Sequence, residues 1–215
     1  MTREEELGII IDGIENLDNV AMETARKKWN SIAKPLHSLG KLEEHIIRIA
    51  GITGNAEVEL KNRALIAMCA DNGVVEEGVT QTGQEVTAIV AENFLRYDTS
   101  VGVMCKQNHA EIFPVDMGMV TDTKVRTDHK VAYGTQNMTK GPAMTREQAV
   151  KGLEAGIDMV RELNDKGYRI LATGEMGIGN TTTSSAVASV LLKQPVEEMT
   201  GRGAGLTSEG LVRKI

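Results

Sequence analysis

The sequence is poor in aromatic residues and lacks any basic cluster, and both shortages exclude classes of binding partner. Aromatic residues make up 3% of the 215 residues, and the formal net charge is −6. Few aromatic side chains means few stacking platforms for bases. A negative chain without a basic patch does not attract phosphate backbones or anionic membranes. We therefore expect no nucleic acid and no membrane among its partners.

Cysteine and histidine are also scarce. Cys69 and Cys105 each stand in an apolar run, and two buried thiols suit a reducing compartment, so we expect a cytoplasmic protein. The four histidines, at positions 37, 45, 109 and 129, form no cluster and no zinc spacing, and we expect neither a metal nor another cofactor. The acidic start MTREEELGII does not resemble a signal peptide, and no apolar run approaches membrane-spanning length.

The chain otherwise has an ordinary globular composition, with 41% hydrophobic and 25% charged residues. Apolar spacing predicts helices over 2–13 and 19–33, and a third helix from Ser38 or Gly40 to about Ala50. This helical pattern stops near Gly54. We therefore predict a small helical lobe over residues 1–54.

Strands alternate with helices after residue 63. The run ALIAMCA, Ala64–Ala70, predicts a buried parallel strand. Further strands are predicted over 110–115 and 168–172, with two short ones at Val125 and 130–132. Helices are predicted over 84–95, 100–107, 145–164 and from Leu206 on. The alternation predicts an α/β domain over 55–215, with a mostly parallel sheet and helices on both faces.

The most informative stretch is ILATGEMGIGNTTTSSA, residues 170–186. It reads as a strand that breaks at Gly174, a glycine-rich turn, and a helix that opens with hydroxyl residues and is capped by Asn180 or Thr181. The unpaired N–H groups at a helix start favour an anion. The turn matches neither a Walker A loop nor the dinucleotide-binding fingerprint. By spacing alone, an ordinary glycine-rich turn is an equally good interpretation.

Glu175 stands inside this predicted loop. A carboxylate beside a phosphate is repelled, whereas ribose hydroxyls, a ring N–H or positive charge developing on a sugar would suit it. We therefore take Glu175 as the candidate catalytic or ribose-binding residue.

Four ordered blocks resemble the nicotinate-nucleotide:dimethylbenzimidazole phosphoribosyltransferase family, the CobT family. KPLHSLGKL resembles its KPxGSLGxLE segment, with His37 where glycine is usual. DNGVVEEGVTQTGQEVT, from Asp71, resembles its ADHGVxxEGVSxxPQEVT loop, with Asn72 for histidine and Gly83 for proline. GTQNMTKGPAMT, from Gly134, resembles GTxNxxxxPAMT. GEMGIGNTT and GRGAGL resemble its paired glycine loops.

The resemblance implies a pentosyltransferase of cobalamin biosynthesis. Family enzymes move the phosphoribosyl group of nicotinate mononucleotide onto a benzimidazole nitrogen with inversion at the anomeric carbon. Nicotinate and α-ribazole 5′-phosphate are the products. The family has a Rossmann-like sheet and a small helical lobe, forms homodimers and uses no metal.

The resemblance also assigns binding residues. The nucleotide is expected to contact, as backbone and hydroxyl donors, Gly177, Ile178, Gly179, Asn180, Thr181, Thr182, Gly203, Ala204 and Gly205. Lys214 stands in register with a family lysine, although a solvated surface lysine explains it equally well. The base is expected to contact Thr82, Val86, Val90 and Met176. By spacing alone, Val86 and Val90 fit plain core positions better.

Two polar residues at strand ends complete the candidates. Asp71 is expected to position the substrate loop, and Asp116 is interpreted as a turn-forming aspartate.

Three functions remain open at this point. The family chain is longer, and no residue here matches its usual catalytic glutamate, so we expect the general base beyond Ile215. A non-catalytic nucleotide-binding fragment or subunit completed by a partner is the main alternative to the enzyme. A kinase-type protein is weaker, since the Walker lysine and a metal-binding acidic pair are missing.

Overall fold

The structure is a computed structural model that describes residues 2–215, and it divides into two compact units. One unit extends to Lys61 and the other runs from Asn62 to Ile215. No helix in this described part of the chain combines the length and apolar character needed to cross a membrane.

The first unit consists of three helices. These are α1 (Arg3–Asp12), α2 (Asn19–Ser31) and α3 (Lys41–Thr53). Ala25 of α2 packs with Ile47 and Ala50 of α3, and Trp29 lies partly buried against them. The KPLHSLGKL block joins α2 to α3. Its Lys34 Nζ lies 2.7 Å from Glu43 Oε1, an ion pair with both side chains largely buried.

The second unit is built on a parallel sheet of three strands in the order β2-β1-β3. The strands are β1 (Arg63–Ala70), β2 (Ala110–Gly118) and β3 (Ile170–Met176). The central strand β1 pairs in parallel with both neighbours, with Cys69 opposite Asp116 on one side and Met176 on the other. All three strands therefore end at the same edge, where ligands bind in open α/β sheets.

Helices follow the strands in sequence. They are α4 (Glu85–Leu95), α5 (Ser100–Gln107), α6 (Arg146–Asp165), α7 (Asn180–Leu192), α8 (Val196–Met199) and α9 (Ser208–Lys214), with a 3-10 helix over Gly73–Glu77.

Side-chain alternation along β1 places a core on each face of the sheet. Ala67 and Cys69 pack with Ala91 and Phe94 of α4 and with α5. Residues of opposite parity in β1, including Ile66, pack with residues of α6. Such a run is apolar on both faces because helices cover both. The predicted α/β sheet with helices on both faces is confirmed, as is the strand over Ala64–Ala70.

Two predicted features are wrong. β3 does not break at Gly174 but continues to Met176, because Gly174 and Glu175 pair with Ala67 and Met68 of β1. Residues 119–143 form no strands at 125 or 130–132. The described segment instead makes one isolated bridge, between Val115 and Arg126. Its backbone hydrogen bonds to the edge of β2 are separate from one another and form no continuous ladder.

Candidate functional site

The turn between β3 and α7 is held closely against the end of β1. A Cβ added to Gly177 would lie 2.2 Å from the Ala70 carbonyl oxygen and 2.6 Å from Glu175 Oε1, closer than real side chains approach. Gly179 has φ +92° and is the N-cap of α7, without a side-chain capping bond. The predicted caps Asn180 and Thr181 are therefore wrong, because the chain enters the helix through a left-handed residue that glycine tolerates.

Residues outside the turn fix its shape. Thr87 of α4, fully buried, accepts a hydrogen bond from the Ile178 backbone N–H at 3.0 Å. Asn72, just after β1, donates its side-chain amide to the Ile178 carbonyl at 3.1 Å. Sequence reasoning assigned neither residue to the site. The available signal was a hydroxyl at position 87 on a helix face otherwise formed by Ala91 and Phe94.

Only part of the predicted set of backbone donors is free. The N–H of Ile178 is used by Thr87, that of Asn180 by the Gly177 carbonyl, and that of Thr182 by the Gly179 carbonyl. Among residues 2–215, the N–H groups of Gly179 and Thr181 have no hydrogen-bond partner. These two donors stand at the start of a thirteen-residue helix, where the helix dipole favours an anion.

The second glycine cluster lies directly against the first. Lys214 Nζ donates to Thr181 Oγ1 at 2.8 Å and to the Gly201 carbonyl at 3.1 Å. A Cβ on Gly203 would come within 2.6 Å of Thr181 Oγ1. Lys214 is 8% exposed and burial lowers its pKa, so it is not a solvated surface lysine. Through these two hydrogen bonds Lys214 links the two predicted glycine loops.

A groove of about 110 Å³ runs between the two clusters. It brings together most of the predicted nucleotide residues and one predicted base residue: Gly177, Ile178, Gly179, Asn180, Thr181, Ala204 and Thr82. Thr182 does not line it, since that side chain is buried. Gly203 and Gly205 do not line the groove, but each contacts a residue that does. Gly203 lies against Thr181, and the Gln81 side-chain amide donates to the Gly205 carbonyl.

Arg202 also lines this groove and was not predicted. Its guanidinium donates to the Leu206 carbonyl at 2.8 Å and to Ser208 Oγ at 3.0 Å. The GRGAGL block held the signal, because an arginine between two glycines in a loop that faces a helix N-terminus can pair with an anion. The groove therefore has positive charge on the side formed by the second cluster.

Glu175 is the penultimate residue of β3, just before this groove. Its side chain is exposed as a whole, and Oε2 accepts a hydrogen bond from the Asn180 side-chain amide. Partial desolvation of the carboxyl raises the pKa of Glu175, while the bond from Asn180 acts in the opposite direction. A carboxylate with a raised pKa is a better proton acceptor.

The remaining predicted base residues lie on the α4 side of the sheet. Val90 and Met176 are both partly buried against the core formed with α4 and α5. Val86 is half-buried on the same helix. The structure thus brings Val90 and Met176 to one cluster, while Thr82 lies in the groove.

Both candidate aspartates serve the backbone: Asp71 directly follows β1, whereas Asp116 lies inside β2 and not in the predicted turn. Asp71 Oδ2 accepts from the Val120 N–H at 2.8 Å, and Asp116 Oδ1 accepts from the Met119 N–H at 2.7 Å. Both carboxylates are fully buried, and Asp116 Oδ2 lies 3.1 Å from Lys130 Nζ. Within residues 2–215 no three acidic, histidine or cysteine side chains form a group suited to a metal ion.

Comparison with known proteins gives consistent matches. A family model described as phosphoribosyltransferase matches residues 14–215. The nicotinate-nucleotide–dimethylbenzimidazole phosphoribosyltransferase of Ruminiclostridium cellulolyticum is 48% identical over 207 residues, covering 95% of this chain and 59% of that protein. The protein of the same name from Clostridium acetobutylicum is 48% identical over 208 residues, covering 96% and 59%.

Solved structures agree. A crystal structure of CobT from Thermus thermophilus matches with a TM-score of 0.84 and 38% identity, covering 91% of this chain and 60% of that one. A crystal structure of nicotinate-nucleotide-dimethylbenzimidazole phosphoribosyltransferase from the same organism matches with a TM-score of 0.82 and 37% identity, covering 92% and 59%. The chain spans 59% of the length of the first two relatives.

These matches extend over nearly the whole chain and include all four blocks quoted above, so the resemblance read from the sequence is confirmed. This chain is a member of the nicotinate-nucleotide–dimethylbenzimidazole phosphoribosyltransferase family.

Proposed function

We propose that this protein is a pentosyltransferase that moves the 5-phosphoribosyl group of nicotinate mononucleotide to 5,6-dimethylbenzimidazole or a related base. The observation that carries this proposal is the convergence of two glycine clusters on one groove, joined by Lys214 and Thr181. Relatives with 48% identity carry the corresponding name. The products would be nicotinate and an α-ribazole 5′-phosphate, the lower-ligand precursor of cobalamin.

The groove supplies what a phosphate needs. The free N–H groups of Gly179 and Thr181 and the positive end of α7 favour negative charge. Arg202 adds a permanent positive charge on the facing wall. Lys214 keeps Thr181 in place. We propose that these groups hold the 5′-phosphate and so fix the ribose relative to Glu175.

The chemistry then requires positioning and one proton transfer. An azole nitrogen of the base forms a bond to C1′ while the bond from C1′ to the pyridinium nitrogen breaks. That electron pair neutralises the nicotinate ring, so the leaving group needs no acid. The azole N–H proton is lost. We propose that Glu175 takes part in removing this proton, because its raised pKa makes its carboxylate a better acceptor.

The remaining features of the proposal come from the resemblance. Val86, Val90 and Met176 are proposed to line the base site, and a further general base is proposed outside these 215 residues. We also propose a homodimer, without metal or other cofactor. A cytoplasmic location is proposed, and the two free buried thiols suit it. Sedimentation of the purified protein would test the dimer.

The decisive experiment measures nicotinate release. The protein is incubated with nicotinate mononucleotide and 5,6-dimethylbenzimidazole, and nicotinate and α-ribazole phosphate are quantified by chromatography. We expect both products in equal amounts. Binding of the nucleotide without release of nicotinate would contradict catalysis by these 215 residues alone, and would support a nucleotide-binding module or a fragment completed by a partner.

Glu175→Gln tests the assigned role. The amide keeps an acceptor for Asn180 but cannot take a proton, so turnover should fall by about 100-fold or more. The melting temperature should hardly change, since an amide is not penalised by the desolvation that burdens the carboxylate. Glu197→Gln, an exposed carboxylate on α8, is the control and should keep full turnover. A lowered melting temperature with intact turnover would overturn the assignment.

A further inference from the structure

A second cavity lies on the other side of β1 from the groove. It has a volume of about 250 Å³ and occupies the space where the carboxyl ends of β1 and β2 face the first turns of α6. Ala70, Met117 and Gly118 form its floor, and the segment 131–136 forms a wall. We call it the α6 cavity. None of its described lining residues lines the groove between the two glycine clusters, which we call the nucleotide groove.

The walls of the α6 cavity are fixed by backbone hydrogen bonds. Val131 donates to the Met117 carbonyl at 2.9 Å, and Gly134 donates to the Gly118 carbonyl at 3.0 Å. Gln136 donates to the Ala143 carbonyl at 2.8 Å. The segment is thereby anchored to the edge of β2. The cavity is preformed, as small-molecule sites usually are.

A glycine inside α6 keeps the cavity open. Gly152 lines it, and a Cβ added there would meet no atom within 4 Å. A glycine within a helix costs roughly 0.5–1 kcal/mol relative to alanine. Gly156, one turn later, has equally open surroundings but does not line the cavity. The two positions therefore differ in their relation to the cavity and not in available space.

The lining specifies the chemistry of a ligand. The lining residues that the structure describes include no charged side chain, while Met117, Met144, Val131 and the Tyr133 ring are apolar or polarisable. The Lys130 ammonium lies 3.7 Å from the centre of the Tyr133 ring and holds this ring in position through a cation–π contact. Thioethers and an aromatic ring favour a flat, polarisable ligand.

Three polar groups of the lining are unused. Among residues 2–215, the Tyr133 hydroxyl and the Gln136 side-chain amide make no hydrogen bond, and Gln148 uses only Oε1, which accepts from the Thr145 N–H at 2.9 Å. A few polar groups in an apolar pocket orient a ligand through its own donors and acceptors. A charged phosphate ester would find no charged side chain in the lining, since the Lys130 ammonium beside Tyr133 is already paired with Asp116, and it would lose its hydration without compensation.

We propose that the α6 cavity is a second binding site, separate from the nucleotide groove, for a small uncharged planar nitrogen heterocycle. Its volume is below the roughly 300–1,000 Å³ of sites for drug-sized ligands, so one or two fused rings fill it. The ring packs against Met117 and Met144, and its nitrogen pairs with the free amide of Gln136 or Gln148.

Indole is the probe, because it is uncharged, planar and bicyclic, and carries one N–H donor. Its dissociation constant at this site is measured from the chemical shifts of the Met117 and Met144 methyl groups in NMR titrations of the intact 215-residue chain, so that indole bound at the proposed base site beside Val90 is not counted. Indole-2-carboxylate, with the same rings and a negative charge, is measured alongside. We expect indole to bind at least about tenfold more tightly than the anion, a difference of about 1.4 kcal/mol. Saturating nicotinate mononucleotide should leave the indole affinity unchanged, since the groove is separate.

Two variants fill the α6 cavity and one matched variant does not. Gly152→Leu and Ala149→Leu each place a side chain in it, and we expect each to weaken indole binding at least about tenfold. Gly156→Leu makes the same change one turn along α6 and should bind indole like the wild type. Circular dichroism establishes that all three fold. If Gly152→Leu alone fails to fold, Ala149→Leu decides.

Three results would overturn the proposal: absence of indole binding, equal binding of indole and its carboxylate, or retention of wild-type affinity in both filled variants. A loss of binding in Gly156→Leu equal to that in Gly152→Leu would also contradict it. The assay needs no turnover. Indole binding without nicotinate release would therefore leave the second site standing, independently of the outcome for the proposed transferase.

Discussion

Gly177 shows most directly how one residue shapes the candidate site. The Ala70 carbonyl, the Glu175 carboxylate and the Asn72 amide all lie within 3.0 Å of where its Cβ would be. Two of these three atoms belong to side chains that the site uses elsewhere. A side chain at position 177 would therefore displace either the end of β1 or the candidate catalytic carboxylate.

Gly177→Ala should destabilise the protein by about 1–3 kcal/mol, the usual cost of overpacking a close-packed site. It should also lower nicotinate release, because the methyl group pushes Glu175 aside. Urea unfolding and the chromatographic assay measure the two effects.

Gly201→Ala is the matched control, because a Cβ at Gly201 meets nothing within 4 Å and the residue belongs to the second glycine cluster. It should leave stability and turnover nearly unchanged. Equal stability of the Gly177→Ala variant and the wild type would show that the turn relaxes freely.

At the scale of elements, Arg126 attaches the irregular segment after β2 to α6. Its guanidinium contacts Asp128 Oδ1 at 2.5 Å and Glu162 Oε2 of α6 at 2.6 Å. Lys166 Nζ adds a second contact to Glu162, with Oε1 at 2.6 Å. The hydrogen bond from Arg126, followed by that from Lys166, lowers the pKa of Glu162 to about 2.

This lowered pKa makes a pH-dependent contribution to stability. A carboxyl with a folded-state pKa below its unfolded value stabilises the protein above the unfolded pKa of about 4.5, and this stabilisation is lost as the pH falls towards about 2. Glu162→Gln should remove about 1–2 kcal/mol at neutral pH, given partial solvent screening. It should also weaken the dependence of the unfolding free energy on pH between these two values, which we call the acid limb.

Asp158→Asn, one turn earlier on α6 and half exposed with a pair distance of 4.0 Å to Arg161, is the control for this measurement. Its acid limb should match that of the wild type. An unchanged limb in Glu162→Gln would mean that the ion pair with Arg126 contributes nothing in solution.

The sequence predicted those elements whose causes are local. The helix predicted over 145–164 is α6, whose start is fixed locally by a capping box with both hydrogen bonds between Thr145 and Gln148. The apolar run of β1 was equally clear. The course of β3 past Gly174 was predicted wrongly, because pairing with β1, not local propensity, keeps that glycine extended.

In the candidate site, too, local features could be predicted and tertiary contacts could not. Glycine spacing located both clusters, but it could not reveal that Thr87, 91 positions away in the chain, uses the Ile178 N–H. Tertiary hydrogen bonds of this kind decide which donors stay free for a ligand. Only the folded chain shows that Gly179 and Thr181 keep theirs at the start of α7.

At the scale of the molecule, the two edges of the sheet differ. The edge at β2 is occupied by the following segment, since the Asp116 N–H donates to the Arg126 carbonyl at 2.8 Å and the Gly118 carbonyl accepts from Gly134. The outer edge of β3 forms no backbone ladder with any other part of the described chain. Ala172, Thr173 and Glu175 of this strand are exposed.

Amide hydrogen exchange should reproduce this asymmetry. Because β1 is paired on both sides, its amides should all be strongly protected, whereas about every second amide of β3 should exchange rapidly. The amides of β2 that face Arg126 serve as the internal reference for a covered edge. Uniform protection along β3, measured by NMR at a concentration where the protein is monomeric, would contradict an open edge.

The open edge has a directional consequence. A strand can extend this sheet only beside β3, since the side of β2 is taken. If it joined in parallel, its own last residue would emerge next to Glu175 and the turn that leads to α7, and the loop after it would face the nucleotide groove. A strand added beside β3 would therefore also bring new residues next to the proposed catalytic site.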